Sequence, residues 1–286
     1  MKGHVKPPEE VLAAFRVTVP EWIATTAIAS LWKVSRAGGG AAVLKYYGAR
    51  GMGSEASGFR FLQAAPESCA AQVYDLRPDA ALVEWLEGPS LADVAIAGED
   101  EMAARELVRV ASGLHPGTGQ APEGYPRLED RFDALFHLRP APSCAAGGKA
   151  AIAACQTLAR DLLDAQVDVR PLHGDLHHGN VMKTPRGFCA FDAKGIVGER
   201  TYELANAFRH PYGDPDLIRD PLRIGMLADL WATGFAVDRQ RLLQWAAVKC
   251  ALSIAWRSKG RLAQDAELDL LAALLYCASG PGGARV

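Results

Sequence analysis

No two of the six cysteines stand at C-x-x-C spacing; Cys69, Cys144, Cys155, Cys189, Cys250 and Cys277 are scattered, several of them in apolar runs. The pattern reads as buried free thiols in a reducing cytosol. An excess of either charge is missing too. With 31 basic side chains against 33 acidic ones, the formal charge is −2, and a nucleic-acid binder's basic footprint is absent. The most apolar early run, residues 22–32, is too short to span a bilayer and is broken by Thr25, Thr26 and Ser30. The first eight residues are polar and hold no apolar signal core. Internal repeats are lacking as well. These absences leave a cytoplasmic globule, monomer or weak dimer, with no nucleic-acid or membrane partner. Its 286 residues sit at the size where one core tends to split into two.

Texture divides the chain accordingly. Residues 27–86 are strand-like: two β-rich runs flank Gly38-Gly39-Gly40, the signature of a hairpin turn, and a third run, 80–86, stops at Gly88-Pro89. Residues 53–65 are more helical, with Phe59 and Leu62 on one side and Glu55 four residues before Phe59. Beyond Pro89, apolar residues recur at helical spacing: Ala103, Leu107, Val110 and Leu114; Leu128, Phe132, Leu135 and Phe136; Ile152, Cys155, Ala159 and Leu162. Two more such sets are Leu222, Met226 and Leu230, and Leu243, Ala246, Cys250 and Ile254; a last helix carries Leu270, Leu271, Leu274 and Leu275. A β hairpin around Pro185-Arg186 interrupts them, and in its second strand Phe188, Ala190 and Asp192 would share one face. Residues 113–124 and 139–148 read as Pro/Gly/Ala-rich loops, and the glycines at 280–283 end the ordered chain. The expected organisation is a small β-rich lobe, 1–85, and a larger mainly helical lobe, 86–286, with a ligand cleft between them.

The chemistry concentrates in residues 173–180, where three histidines, two glycines, Asp175 and Asn180 stand between Leu172 and Val181. So many polar groups are poor core material unless they are hydrogen-bonded or bind something. Phosphoryl transfer needs a carboxylate near the acceptor hydroxyl, hard oxygen ligands for Mg²⁺ and a cation on the nucleotide phosphates. Asp175, Asn180 and Asp192 supply such oxygens. Protein kinases place their catalytic Asp and metal-binding Asn the same five residues apart, with a second metal Asp after a hairpin. Lys45 stands in an apolar and aromatic strand, where a lone ammonium is costly without a partner.

The run His173-Gly174-Asp175-Leu176-His177-His178-Gly179-Asn180 resembles the catalytic loop of the aminoglycoside phosphotransferases, a branch of the protein-kinase-like fold. Phe191-Asp192-Ala193-Lys194-Gly195, then Gly198-Glu199-Arg200 and Glu203-Leu204-Ala205-Asn206, resemble the narrower aminoglycoside/hydroxyurea resistance kinases, which include streptomycin 6-phosphotransferases. The resemblance implies a two-lobed α+β fold and an ATP- and Mg²⁺-dependent transfer to a hydroxylated small molecule such as an aminoglycoside. It implies Asp175 as catalytic base, Asn180 and Asp192 as Mg²⁺ ligands, and Lys45 on the phosphates paired with Glu55. It also implies Glu84 to Leu86 as the segment whose backbone meets adenine.

Two departures stand out. The phosphate-covering stretch, residues 23–30, contains no glycine, so the hydroxyls of Thr25, Thr26 and Ser30 would supplement its N–H groups; Asp192 is followed by Ala-Lys-Gly rather than Pro-Lys-Gly. The glycine-free stretch motivates one rival, a weakly active nucleotide-binding protein. A kinase-like enzyme for another hydroxylated metabolite is a second. A metal hydrolase using His173, Asp175, His177, His178 and Asp192 is a third, but it leaves Asn180 and Lys45 without a role. His177 is expected to brace the loop and His178 to be exposed. Glu199, Glu203, Asp214, Asp216 and Asp229 are candidate carboxylates for a polycationic acceptor, though each alone reads better as solvated or a helix cap. Trp231, Trp245 and Trp256 read as core.

Overall fold

The computed structural model describes residues 6–115 and 123–279. Its first lobe is a five-stranded antiparallel sheet of order β1-β2-β3-β5-β4, built from β1 (Val17–Thr25), β2 (Ser30–Arg36), β3 (Ala41–Tyr46), β4 (Val73–Arg77) and β5 (Ala80–Glu84). Alternation along the strands decides which face each side chain joins. Trp32, Val34, Ala42, Leu44 and Leu82 turn to one face, where α1 (Glu9–Phe15) covers them with Val11 and Phe15. Leu31, Ala81 and Val83 turn to the other, beside Phe59 of α2 (Glu55–Ala64). Lys45 shares that second face, in register between Leu31 and Ala81. Gly38-Gly39-Gly40 forms the hairpin turn between β2 and β3, Gly39 and Gly40 at φ +87° and +82°.

The strands begin earlier than residue 27. Pro20 and an irregularity at Val19, whose φ is +51°, disguise β1 in the sequence, and both are tolerated because β1 is the sheet edge.

The second lobe packs α3 (Leu91–Ile96), α4 (Asp100–Leu114), α5 (Asp133–His137), α6 (Ala146–Asp164), α7 (Pro215–Arg219), α8 (Pro221–Phe235), α9 (Arg239–Ser258) and α10 (Leu268–Ser279). Phe132, Phe208, Trp231 and Trp245 are fully buried at its centre. Helix α9 is buried on almost every side between Leu242 and Ala255, as its nearly unbroken apolar run requires.

Several local expectations change. The 128–136 run is a 3₁₀ turn, Glu129–Phe132, followed by short α5. Residues 139–148 are not simply a loop: β6 (Arg139–Pro140) pairs in parallel with β11 (Arg261–Leu262), and α6 starts at Ala146. Trp256 is 40% exposed, unlike the other two tryptophans. Of the loop read at 113–124, residues 116–122 lie outside the described residues, and so do 280–283.

The lobes meet at more than the segment that joins β5 to α3. Phe61 and Leu62 of α2, with Cys69 and Ala70, belong to the core of the helical lobe. Ala71 N–H donates to Ala190 O and Ala190 N–H to Cys69 O, each at 2.8 Å. Arg186 grips Glu84 with two 2.7 Å bonds.

Candidate active site

Residues 173–180 leave β7 (Val169–Leu172) and lead into β8 (Val181–Thr184). Strand β8 pairs with β9 (Gly187–Ala190) across the Pro185-Arg186 turn, and β7 pairs antiparallel with β10 (Ile196–Glu199). This lays the polar loop beside the 191–195 turn. Phe191 N–H donates to Asn180 O at 2.9 Å and Lys194 N–H to His173 O at 2.7 Å. Asp192 does not extend the strand face of Phe188 and Ala190. The strand stops at Ala190 and Asp192 has φ +57°, a left-handed backbone that breaks the alternation.

The loop's polar groups are satisfied largely from below. The Glu203 carboxylate, fully buried, accepts the consecutive N–H groups of His173 (2.8 Å) and Gly174 (3.0 Å) and a 3.0 Å bond from His115 Nε2. Burial alone would raise its pKa, but the His115 bond and charge and the neighbouring donors hold it below the ordinary carboxylate range. His173 donates from Nε2 to Phe191 O and accepts Asp175 N–H at Nδ1, which fixes a neutral tautomer; burial lowers its pKa to suit. His177 Nδ1 accepts Gly179 N–H at 3.1 Å, and its ring stacks on His210 at 3.7 Å. Burial pushes its pKa down to about 4, so it braces the loop as a neutral ring. His178 is not exposed as expected. It is fully buried beside Trp231, because residues 178–180 form a 3₁₀ turn that points it inward, and burial pushes its pKa to about 3.

Four charges from three segments converge at the loop's open side. Lys45 Nζ lies 2.9 Å from Asp192 Oδ1 and 3.4 Å from Glu55 Oε2. Lys194 Nζ lies 3.2 Å from Asp192 Oδ2 and 3.8 Å from Glu55 Oε1. Burial would raise the Asp192 pKa, yet Lys45 and Lys194 carry it down to about 2. Asn180 Nδ2 donates to Asp175 O at 3.0 Å, which leaves its amide oxygen for another partner. Asp175 Oδ1 accepts Asn206 Nδ2 at 2.9 Å. Burial works against the Asp175 charge, and Lys249, His177 and Lys194 outweigh it, so the carboxyl stays below its ordinary range.

A cavity of about 640 Å³ opens between the lobes beside this cluster, walled by Ile28, Leu31 and Val83 of the sheet side and by Met182 and Phe191 of the hairpin. Lys45, Glu55, Asp192 and Lys194 line it, and so do Thr26, Glu84 and Leu86. Thr25 and Ser30 are outside that lining and face each other, Oγ1 to Oγ at 3.4 Å. The Thr26 hydroxyl serves its own turn, accepting Ala29 N–H at 3.0 Å. The Glu84 side chain is committed to Arg186 and to Gln72 N–H.

Among the acceptor-side carboxylates, Glu199 is buried on Arg241, and Glu203 is buried under the loop, so neither is solvated or a cap. Asp214 caps α7 and Asp229 pairs with Arg239. Asp216 and Asp229 are exposed, and Asp216 alone of the five makes neither an ion pair nor a cap among the described residues.

Residues 15–260 match the family described as aminoglycoside/hydroxyurea antibiotic resistance kinase. The chain belongs to that family. It is 37% identical over 210 residues to a streptomycin 3''-kinase of Klebsiella pneumoniae, covering 71% of this chain and 75% of the relative. A hydroxyurea phosphotransferase of Kitasatospora aureofaciens is 29% identical over 211 residues, 68% of this chain and 58% of the relative. Among solved structures, a thermostable mutant of aminoglycoside phosphotransferase APH(4)-Ia, in ternary complex with ADP and hygromycin B, superposes with a TM-score of 0.61. That likeness covers 96% of this chain and 99% of the other at 13% identity, and it speaks to fold: two-lobed, α+β and protein-kinase-like. This family member is a phosphotransferase with an alcohol group as acceptor.

Four residues to which the sequence alone assigns no role also stand at the kinase's site. Lys194 and Asn206 touch Asp192 and Asp175. Arg209, donating to Asn206 Oδ1 at 2.7 Å and bound to Glu267, dictates which end of that amide meets Asp175. Lys249 is buried in α9, its Nζ 4.6 Å from the Trp256 ring, and burial lowers its pKa to about 7 against the pull of Asp175. The signal was available for Lys249: a single ammonium in the apolar run 245–255 needs a partner as much as Lys45 does.

Proposed function

We propose that this kinase transfers the γ-phosphoryl group of ATP, with Mg²⁺, to a hydroxyl of an aminoglycoside of the streptomycin type. The observation that carries the reading is the convergence of Asp175, Asn180 and Asp192 with Lys45 beside a cavity of about 640 Å³ between the lobes. Lobes of residues 1–85 and 86–286 would divide the work between nucleotide and acceptor. The six unpaired thiols suit a reducing cytoplasm, and among the described residues no helix is long and apolar enough to cross a membrane.

The donor set fits the metal. Asn180 offers an amide oxygen whose NH₂ is already committed to Asp175 O, and Asp192 offers a carboxylate kept ionised by two lysines; both are hard oxygen ligands. Bound there, Mg²⁺ would neutralise charge on the β- and γ-phosphates. Lys45, tethered by Glu55, binds phosphate oxygens from the sheet side. Glu84 to Leu86 present backbone to the adenine, and Thr26 borders the phosphates, with Thr25 and Ser30 supporting its turn. Asp175, its Oδ1 held by Asn206, directs its other oxygen at the acceptor hydroxyl. As the acceptor oxygen bonds to the γ-phosphorus, the bond to the β–γ bridging oxygen breaks, ADP leaves, and the hydroxyl proton passes to Asp175. Asp175→Asn is expected to abolish product while leaving nucleotide binding nearly intact; wild-type turnover in that variant overturns the assignment.

One observation favours a second acceptor class. Four of the five carboxylates that a polycation would need are committed to internal partners, and one relative is named for hydroxyurea. A panel of streptomycin, other aminoglycosides and hydroxyurea, read by mass spectrometry for a phosphate adduct, decides between them. An adduct on hydroxyurea alone overturns the aminoglycoside reading.

A further inference from the structure

Lys194 is held more firmly than an exposed lysine needs to be. Its N–H donates to His173 O at 2.7 Å, and its carbonyl accepts the Ser57 hydroxyl of α2 at 3.0 Å. On either side the backbone is pressed against α2: a Cβ on Gly195 would lie 2.2 Å from the Ser57 carbonyl, and one on Gly58 would lie 1.8 Å from Ala193 O. The stem therefore starts from a point clamped between the sheet lobe and the polar loop, and the side chain lines the interlobe cavity.

Its ammonium has an uneven set of partners. It sits 3.2 Å from Asp192 Oδ2 and a loose 3.8 Å from Glu55, and its charge also acts on Asp175. Lys45 already occupies Asp192 Oδ1 at 2.9 Å, with Glu55 at 3.4 Å behind it. Each oxygen of Asp192 thus has a lysine against it, and a metal ion held by Asp192 would compete with those two ammonium groups for its lone pairs. Lys194 is the partner with the longer bond and the looser tether. A lysine stem is flexible and its three donors can change partners without losing a proton. Charge on a transferring phosphoryl group spreads over its equatorial oxygens and calls for cations beside its path.

We propose that Lys194 is a second phosphate-binding cation, which leaves Asp192 Oδ2 for the terminal phosphate of the nucleotide as that phosphate approaches Asp175. The inference rests on the ATP reading above. Lys45 then holds the nucleotide on the sheet side, and Lys194 recognises only the group being transferred.

The test is calorimetric titration of the full chain, wild type and Lys194→Met, with AMP-PNP, ADP and AMP in the presence of Mg²⁺. Loss of a charge-assisted contact to the terminal phosphate should weaken AMP-PNP binding by about 10- to 100-fold while ADP and AMP change less than about twofold. Lys194→Arg should recover most of the loss. Lys194→Gln, which keeps a polar group against Asp192, serves if the methionine variant melts early. Equal weakening of AMP-PNP and ADP, or no weakening of either, overturns the inference and leaves Lys194 as a partner of Asp192 only. Wild-type protein that binds none of the three nucleotides overturns the ATP reading itself, and the inference with it.

Discussion

Replacing Gly58 by alanine sets two effects of opposite sign against each other. Gly58 lies inside α2, where alanine is the better helix former by about 1 kcal/mol. Against that, the added Cβ would stand 1.8 Å from Ala193 O and 2.7 Å from Ala193 C. An ordinary carbon–oxygen contact is about 3.3 Å, so α2 or the 191–195 turn must retreat by about 1.5 Å. The turn has little freedom, tied as it is to His173 O and Asn180 O, so the helix gives way. Glu55 rides on that helix, and a 3.4 Å contact with Lys45 lengthened by such a shift is no longer an ion pair. Overpacking costs about 1–3 kcal/mol; less the helix gain of about 1 kcal/mol, a net loss of up to about 2 kcal/mol lowers Tm by up to about 4 °C in a chain of this size. A catalytic group displaced by about 1 Å costs about 10²-fold in rate, and kcat/KM for phosphorylation should fall accordingly. Gly147→Ala is the control: it lies in the first turn of α6 with nothing within 4 Å, and should leave Tm and turnover unchanged or slightly raise Tm. A Gly58→Ala protein that melts higher than wild type with full activity refutes the reasoning.

Two further expectations follow from the groups around the loop. Asn206→Leu removes a hydrogen bond to the Asp175 carboxylate and Asn206→Asp puts a second carboxylate there, while Lys249, Lys194, His177 and His173 still face Asp175. A hydrogen bond to an ionised carboxylate favours that form, and the proposed base role of Asp175 needs it, so the acidic limb of the kcat/KM profile should move upward. The shift should be larger for aspartate than for leucine; an unmoved limb in both variants contradicts the role. Glu203→Leu strands the N–H groups of His173 and Gly174 and the His115 ring, each a loss of about 1–3 kcal/mol. Chemical denaturation should show at least about 3 kcal/mol of destabilisation, and a wild-type midpoint would rule out the anchoring role.

What the sequence made legible follows from local rules. The five-residue step from Asp175 to Asn180 and the two-residue turn at Pro185-Arg186 are properties of short segments, and so is the misfit of Lys45 in an apolar strand. The same rules fail where a partner arrives from far along the chain. Residues 200–209 show neither helical nor strand period because they form a 3₁₀ stretch buried from Thr201 to Arg209, so nothing local announced Glu203 under the loop or Asn206 on Asp175. Composition alone placed His178 outside, but the turn geometry of 178–180 placed it in the core. Asp192 was found by its spacing and misjudged in its setting, because period-two reasoning cannot anticipate a left-handed residue just past a strand.

The cross-lobe ties carry one more consequence. Arg186 grips Glu84, residues 69–71 bond to Ala190, and α2 is pressed against the 193–195 backbone, so the cavity is fastened on more than one side. A wide hinge motion would have to break two charge-assisted bonds and a stretch of backbone pairing before it began. A nucleotide bound there, as proposed above, would meet a pocket that is already in shape, and its binding would spend little free energy on ordering the walls. Adaptation is left to side chains such as Lys194 and to the acceptor side. On that reading, a change of acceptor need not rebuild the side of the cavity that would hold the phosphate donor.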